Sequence, residues 1–565
     1  MRLSRARWSG RLQRLSALSV ALSVTGLFAP VRFSAQQTQP ASAQARALGD
    51  AAALLQAGRL DEAEAAVRKY LRAAPRDPNA HTMLGVILDH RGQETQAEQA
   101  YHEALRLDAK NVAARSNLGV LLARMKRIEK AIEMFESVLR LEPSHLKATF
   151  NLGALYATRG DYARAVPLLE RAANAQNNHG GEPDLALLLM LTNALLHAGR
   201  TDDANALTDR IERLAGDDSR ALFTLGLTLA EGQEYARAAR LFERTNILRP
   251  QTYEVLYNLG VAYYNLEQYD KAAQALTSAG ALAPNEADPY YRLGLIALAR
   301  NDGKTALDYW GKAIELRPRF AEANFMIGEE LLKRRAPENA VRFYALALEV
   351  DPTKLIYHIR LGVAHFRSRQ YQEARAIFTR AIERFPDDAN LYFLLGYAAR
   401  AEGQYDEAIG AFKRSLALRP NNPDAFTNLG YIASQRGQQA EAERLLREAI
   451  KLDPDNFPAY HDLGRLLVKL KRYDEAVPLL QRGASLNKQD PGVHYQLFLA
   501  YSRLKRKAEA DRELATFKQF EEAQKHAPTP LGGSSAGMST GDDASPPPLP
   551  AAAAGDSKKP RVPYD

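Results

Sequence analysis

The sequence contains no cysteine. That excludes disulfides, thiolate metal sites, a cysteine nucleophile and a lipid-modified amino-terminal cysteine. It is compatible with an oxidising compartment and does not demand one. Catalytic patterns are equally scarce. No H-E-x-x-H or G-x-S-x-G occurs. Asp302-Gly303-Lys304-Thr305 resembles the end of a phosphate-binding loop, but Leu298 stands where that motif needs its first glycine. His358 and His365 lie seven apart without a suitable flanking acid or base, and read as core or surface residues; His179 reads as a solvent-exposed loop residue. Clustered positive charge is also missing. The net charge is +8, but residues 1–43 supply six arginines and no acid, and the bases and acids of 525–565 cancel. The rest carries only +2. A phosphate-binding surface needs grouped bases, so no nucleic-acid partner is expected.

What the chain has is a period. In 389–422, Leu395-Gly396, Gly403, Ala408, Phe412 and Pro420 mark a helix, a turn and a second helix. The same residue types recur 34 residues away in both directions, as Leu361-Gly362, Ala374, Phe378 and Pro386, and as Leu429-Gly430, Ala442, Leu446 and Pro454. With the glycine as slot 8, fourteen units fit between 44 and 524, with one five-residue insertion. Slot 20 is alanine in all fourteen, from Ala63 to Ala510. Small residues at slots 8 and 20 allow close helix approach, while bulky residues at 7, 11 and 24 fill the space beside them. Proline at slot 32 stops the second helix.

A 34-residue comb of L-G, A-x-x-x-F and P resembles the tetratricopeptide repeat. The resemblance implies an all-α fold: a right-handed α-solenoid, or superhelix, of stacked helix–turn–helix units. Domain limits follow. Residues 1–43 form a basic, apolar, small-residue leader, read as a signal peptide or an uncleaved amino-terminal anchor. Repeats 1–4 occupy 44–173. A loop insertion at 174–183 precedes an irregular unit with Thr192 and Thr208 at slots 8 and 24, expected to act as a flexible joint. Repeats 5–14 occupy 184–524 and end in a charged capping helix. Pro167 and Pro478 are expected early enough in their helices to cost no hydrogen bond. Residues 525–565, rich in Pro, Ala, Gly and Ser, are expected to be disordered.

In this family the first helices line a concave face, and slots 2, 5, 6, 9, 12 and 13 commonly touch ligand. The helical period puts those slots on one stripe. Slot 6 is asparagine at Asn117, Asn151, Asn258 and Asn428. This is similar to the asparagine ladder of the O-GlcNAc transferase superhelix, where amides hold a peptide backbone. The ladder is interrupted by Met83, Met190, Thr224, Met326, Leu394 and Asp462. Arg292 and Arg360, also slot 6, resemble the basic clamp that other members use for a carboxylate. Tyr257, Tyr264 and Tyr291 complete the candidate peptide-binding set; packing is the competing role for the aromatics. The resemblance implies a protein or peptide partner, no cofactor and no enzymatic activity. The leader adds export to a bacterial periplasm or cell envelope, with membrane association through the amino-terminal segment as an open alternative. Two rival readings are a component of a polysaccharide or pilus export machine and, less favoured, a glycosyltransferase; the pieces flanking the array are too short to fold as such a domain.

Overall fold

The computed structural model describes residues 43–178 and 184–526. The leader, residues 179–183 of the insertion and the tail after His526 lie outside the described residues; residues 174–178, expected as loop, are instead the end of the helix Tyr162–Asn178. Among the described residues there are twenty-eight α-helices and no strands. They pair in sequence, so that Ala389–Ala401 is followed by Tyr405–Leu418, and Pro423–Gln435 by Gln439–Leu452. The chain divides into two compact units, one ending at Ala283 and the other beginning at Pro284. Each holds seven helical hairpins. The helices on either side of the insertion, Tyr162–Asn178 and Leu185–His197, therefore both fall inside the first unit.

Local chemistry explains each hairpin's limits. Most first helices start at side-chain caps, those beginning at Tyr253, Asp288, Ala321 and Leu355 excepted: the Asp77 carboxylate accepts from the amides of Asn79 and Ala80, Asp388 from Leu391, and Asn456 from Ala459. They stop at a left-handed residue. Slot 15 has positive φ in all fourteen hairpins, with glycine at six and residues such as Lys126, Glu267 and Lys471 at the rest. The Gly92 amide donates to the Asp89 carbonyl and that of Gln93 to Leu88, so the carbonyls at the helix end are satisfied. Second helices end two residues before the slot-32 prolines, at Leu316 before Pro318 and Leu418 before Pro420.

The core is the slot-8/slot-24 contact. A Cβ on Gly396 would meet the Phe412 ring at 2.9 Å, one on Gly362 the Phe378 ring at 2.4 Å, and one on Gly294 the Trp310 indole at 2.3 Å. Glycine is required because the aromatic ring lies on its backbone. The slot-20 alanines are buried throughout, thirteen of them at 0% exposure and Ala510 at 4%.

Two further expectations need correction. Pro167 and Pro478 are not in first turns: their helices begin at Tyr162 and Tyr473, so both fall in helix interiors. Each leaves a carbonyl one turn earlier without its amide donor. Both prolines are exposed, so water can reach the freed carbonyl. The unit 185–215 is also packed more completely than its sequence suggests. Thr192 and Thr208 are fully buried, and their hydroxyls donate to the carbonyls of Leu188 and Ala204. Two medium side chains replace one absent and one large.

Candidate functional site

The candidate residues lie on first helices, but not in equivalent surroundings. In the first unit, Asn117 and Asn151 are half-buried on Val112–Arg124 and Leu146–Thr158. Tyr257 is half-buried and stacks on Tyr253 at 5.9 Å. Tyr264 leans on Tyr269, also at 5.9 Å. Asn258, expected to face a ligand, is fully buried. Its Nδ2 donates to the Glu254 carbonyl at 2.7 Å and its Oδ1 is buried without a donor. Asn428 in the second unit is 8% exposed and donates in the same way to Asp424. These two amides bond their own helix, so the ladder reading is corrected at those positions.

Tyr291 is likewise a packing residue. It is 5% exposed, lies 5.0 Å from the Phe320 ring, and its carbonyl accepts from the Trp310 indole. Arg292 sits 5.8 Å from the Tyr291 ring. Arg360 is already held: its Nε lies 2.8 Å from Glu329 Oε1 as an ion pair, without the alignment of a hydrogen bond. Glu329 also accepts from the Tyr344 hydroxyl at 2.6 Å. Burial, and then this carboxylate, push the Tyr344 phenol well above its ordinary range. Tyr257, Asn258 and Tyr264 belong to the first unit, and Tyr291, Arg292 and Arg360 to the second.

Sequence reasoning missed a denser row in the second unit. Ala389–Ala401, Pro423–Gln435 and Phe457–Lys469 are first helices of consecutive hairpins and touch one another in order. Arg400 lies over the rings of Tyr397, at 5.1 Å, and Tyr431, at 4.7 Å. Arg465 approaches the Tyr431 ring at 5.5 Å and donates to Asp462 at 2.9 Å. Tyr431 is thus flanked by two guanidiniums, an arrangement that draws each cation to the electron-rich ring. Beside them Asp424 is shielded from water, which raises its carboxyl above the usual range; the Asn456 amide reaches it at 3.3 Å. The residues occupy slots 9 and 12, which the family pattern marks, so the signal was present.

Metal and phosphate chemistry find no support in the geometry. Among the described residues no cluster of histidines and acids could hold a metal ion. His358 bonds the Pro352 carbonyl and packs on Phe385, while His365 bonds Gln370. At Asp302-Gly303-Lys304-Thr305 the Glu330 carboxylate lies against Gly303 so closely that a Cβ would meet Oε1 at 2.0 Å. That helix start is covered by the protein's own anion.

The comparisons with known proteins agree with this architecture. Tetratricopeptide repeat models match residues 48–112, 111–178, 156–225 and 253–286. The chain belongs to the tetratricopeptide repeat family. Residues 311–531 of this repeat protein match the model of the cilia and flagella-associated protein 70 C-terminal domain. Among solved structures it is similar to yeast Tom70, at 18% identity and a TM-score of 0.30 over 79% of this chain and 96% of that one. It is also similar to the APC/C hetero-tetramer Cut9–Hcn1, at 14% identity and a TM-score of 0.32 over 81% of this chain and 97% of the other. A third is Naa15/Naa10 bound to HypK-THB, at 17% identity and 0.32 over 86% and 76%. Comparison with curated proteins gives no match.

Proposed function

We propose that this repeat protein is a non-catalytic scaffold that binds segments of other proteins on its first-helix faces. The observation that carries the reading is the recurrence of tyrosine and arginine at matching slots on neighbouring first helices, over a core set by slots 8, 20 and 24. Tyrosine and arginine anchor protein interfaces because each brings large area and directed polar contact at low entropic cost. The framework can therefore vary its face without disturbing its packing.

The arginine-rich, then apolar, then small-residue order of 1–43 supports export, and the proposed site of action is the bacterial cell envelope. Fractionation with mass spectrometry of the amino terminus tests this. Envelope protein beginning near Gln36 or Gln44 is the expected result, and a cytoplasmic product starting at Met1 overturns it. Capture of proteins from an envelope fraction by the full chain tests the scaffold reading; no reproducible partner after crosslinking would sink it. The insertion is proposed as a joint, for which limited proteolysis should cut near Asn177–Gly181 before it cuts within 219–490.

A further inference from the structure

We propose that the Arg400–Tyr431–Arg465 row is a recognition site for an acidic segment of the partner, with Arg400 receiving a carboxylate. The proposal rests on the scaffold reading and names the chemistry of its ligand. Three observations on the second unit carry it.

First, the two arginines differ in their partners. Arg465 spends donors on Asp462, whose side chain is only 13% exposed. No carboxylate among the described residues pairs with Arg400. Its partners are aromatic: two ring faces and a bond with the Tyr397 side chain. Second, Arg400 is half-buried and its Nε is out of reach of water without a hydrogen-bond partner. Arg375, a comparably enclosed guanidinium on Tyr371–Arg384, is clasped by both Glu402 and Glu407. A guanidinium carries five donors in a planar fork and is most strongly satisfied by a bidentate acid. Arg400 has the enclosure of a structural ion pair and lacks the anion. Third, the two tyrosine rings fix the plane of that fork. A carboxylate arriving in the plane would meet a donor pair whose orientation is already set, so little side-chain freedom is lost on binding.

The test uses the full chain and two capped peptides of equal length, one alternating Glu and Gly, the other Gln and Gly. Binding is read by calorimetry at low and moderate salt. The acidic peptide should bind, at least about tenfold more tightly than its amide counterpart, and should weaken as salt rises. Arg400→Gln should lower its affinity by about tenfold or more with a wild-type melting curve. Arg414→Gln, which removes the same charge from the exposed side of Tyr405–Leu418, should leave it unchanged. Equal binding of the two peptides overturns the proposal, as does an Arg400→Gln protein that binds like wild type. If that variant melts early, the wild-type salt series decides: an acidic-peptide affinity indifferent to salt overturns it. Envelope partners captured equally by wild type and Arg400→Gln would remove this site and leave the scaffold standing.

Discussion

The hairpins 389–418 and 185–215 share a 13-residue first helix, a left-handed turn residue (Gly403 and Gly199) and a buried slot-20 alanine. They differ in how the space between their helices is filled. In the first, Gly396 has no side chain and Phe412 lies across it. In the second, Thr192 and Thr208 share the volume and each hydroxyl is returned to its own helix. The helices can approach closely in either way, because what matters is the summed volume and the satisfaction of polar groups rather than the residue at one slot. The second solution is the more costly to specify. A threonine must give its hydroxyl a carbonyl when it is buried, whereas a phenyl ring has nothing to satisfy.

The largest break in this comparison should come from truncation. Phe412→Ala removes a fully buried ring and should cost ~3–5 kcal/mol, whereas Thr208→Ala should cost about 1 kcal/mol. Urea denaturation measures both, and hydrogen exchange should place the loss in 389–418 and 185–215 respectively, since repeat arrays unfold by parts. Similar costs would mean that the slot-24 ring is not the main filler.

Converting one solution into the other sharpens the point. Thr208→Phe alone overfills the joint between the two helices and should cost ~1–3 kcal/mol. Adding Thr192→Gly should recover most of it, giving a coupling energy of at least about 0.5 kcal/mol in a double-mutant cycle. Additive effects would show that these two slots do not face each other in that hairpin.

The smallest effects belong to the turns. Both hairpins of the comparison use glycine at slot 15, whereas the hairpin 457–486 uses Lys471 at φ 63°. A Cβ on Gly403 would touch nothing within 4 Å, so Gly403→Ala isolates the backbone strain and should destabilise by about 1 kcal/mol. Lys471→Gly should stabilise by a similar or smaller amount, about 0.5–1 kcal/mol, read as a raised melting temperature.

The fold was legible because its signals are local and repeated. A glycine and an alanine at 34-residue spacing report close helix approach, and a proline two residues past a helix reports its end. Single departures were harder. Thr192 and Thr208 look like lost packing until each hydroxyl is seen to find a carbonyl. Pro167 looks harmless by distance from the turn, but the helix start at Tyr162 puts it in the interior. Among the candidate residues, slot position marked the right face and could not report occupancy. Asn258 and Tyr291 sit at ligand slots and are consumed by packing.

The sequence by itself determined the unit, its length, its count and the side chains that touch within a hairpin, because those partners are separated by a constant sixteen residues and recur. The tertiary structure decided which charges are spent. Arg360 finds Glu329 on the preceding hairpin, while Arg400 finds tyrosine rings and, among the described residues, no acid. An arginine's availability depends on what the neighbouring hairpin presents within a few ångströms, and the Coulomb and hydrogen-bond terms involved fall away over that distance. No repeat pattern encodes it, since the facing slots vary from one hairpin to the next while the core slots between them stay the same.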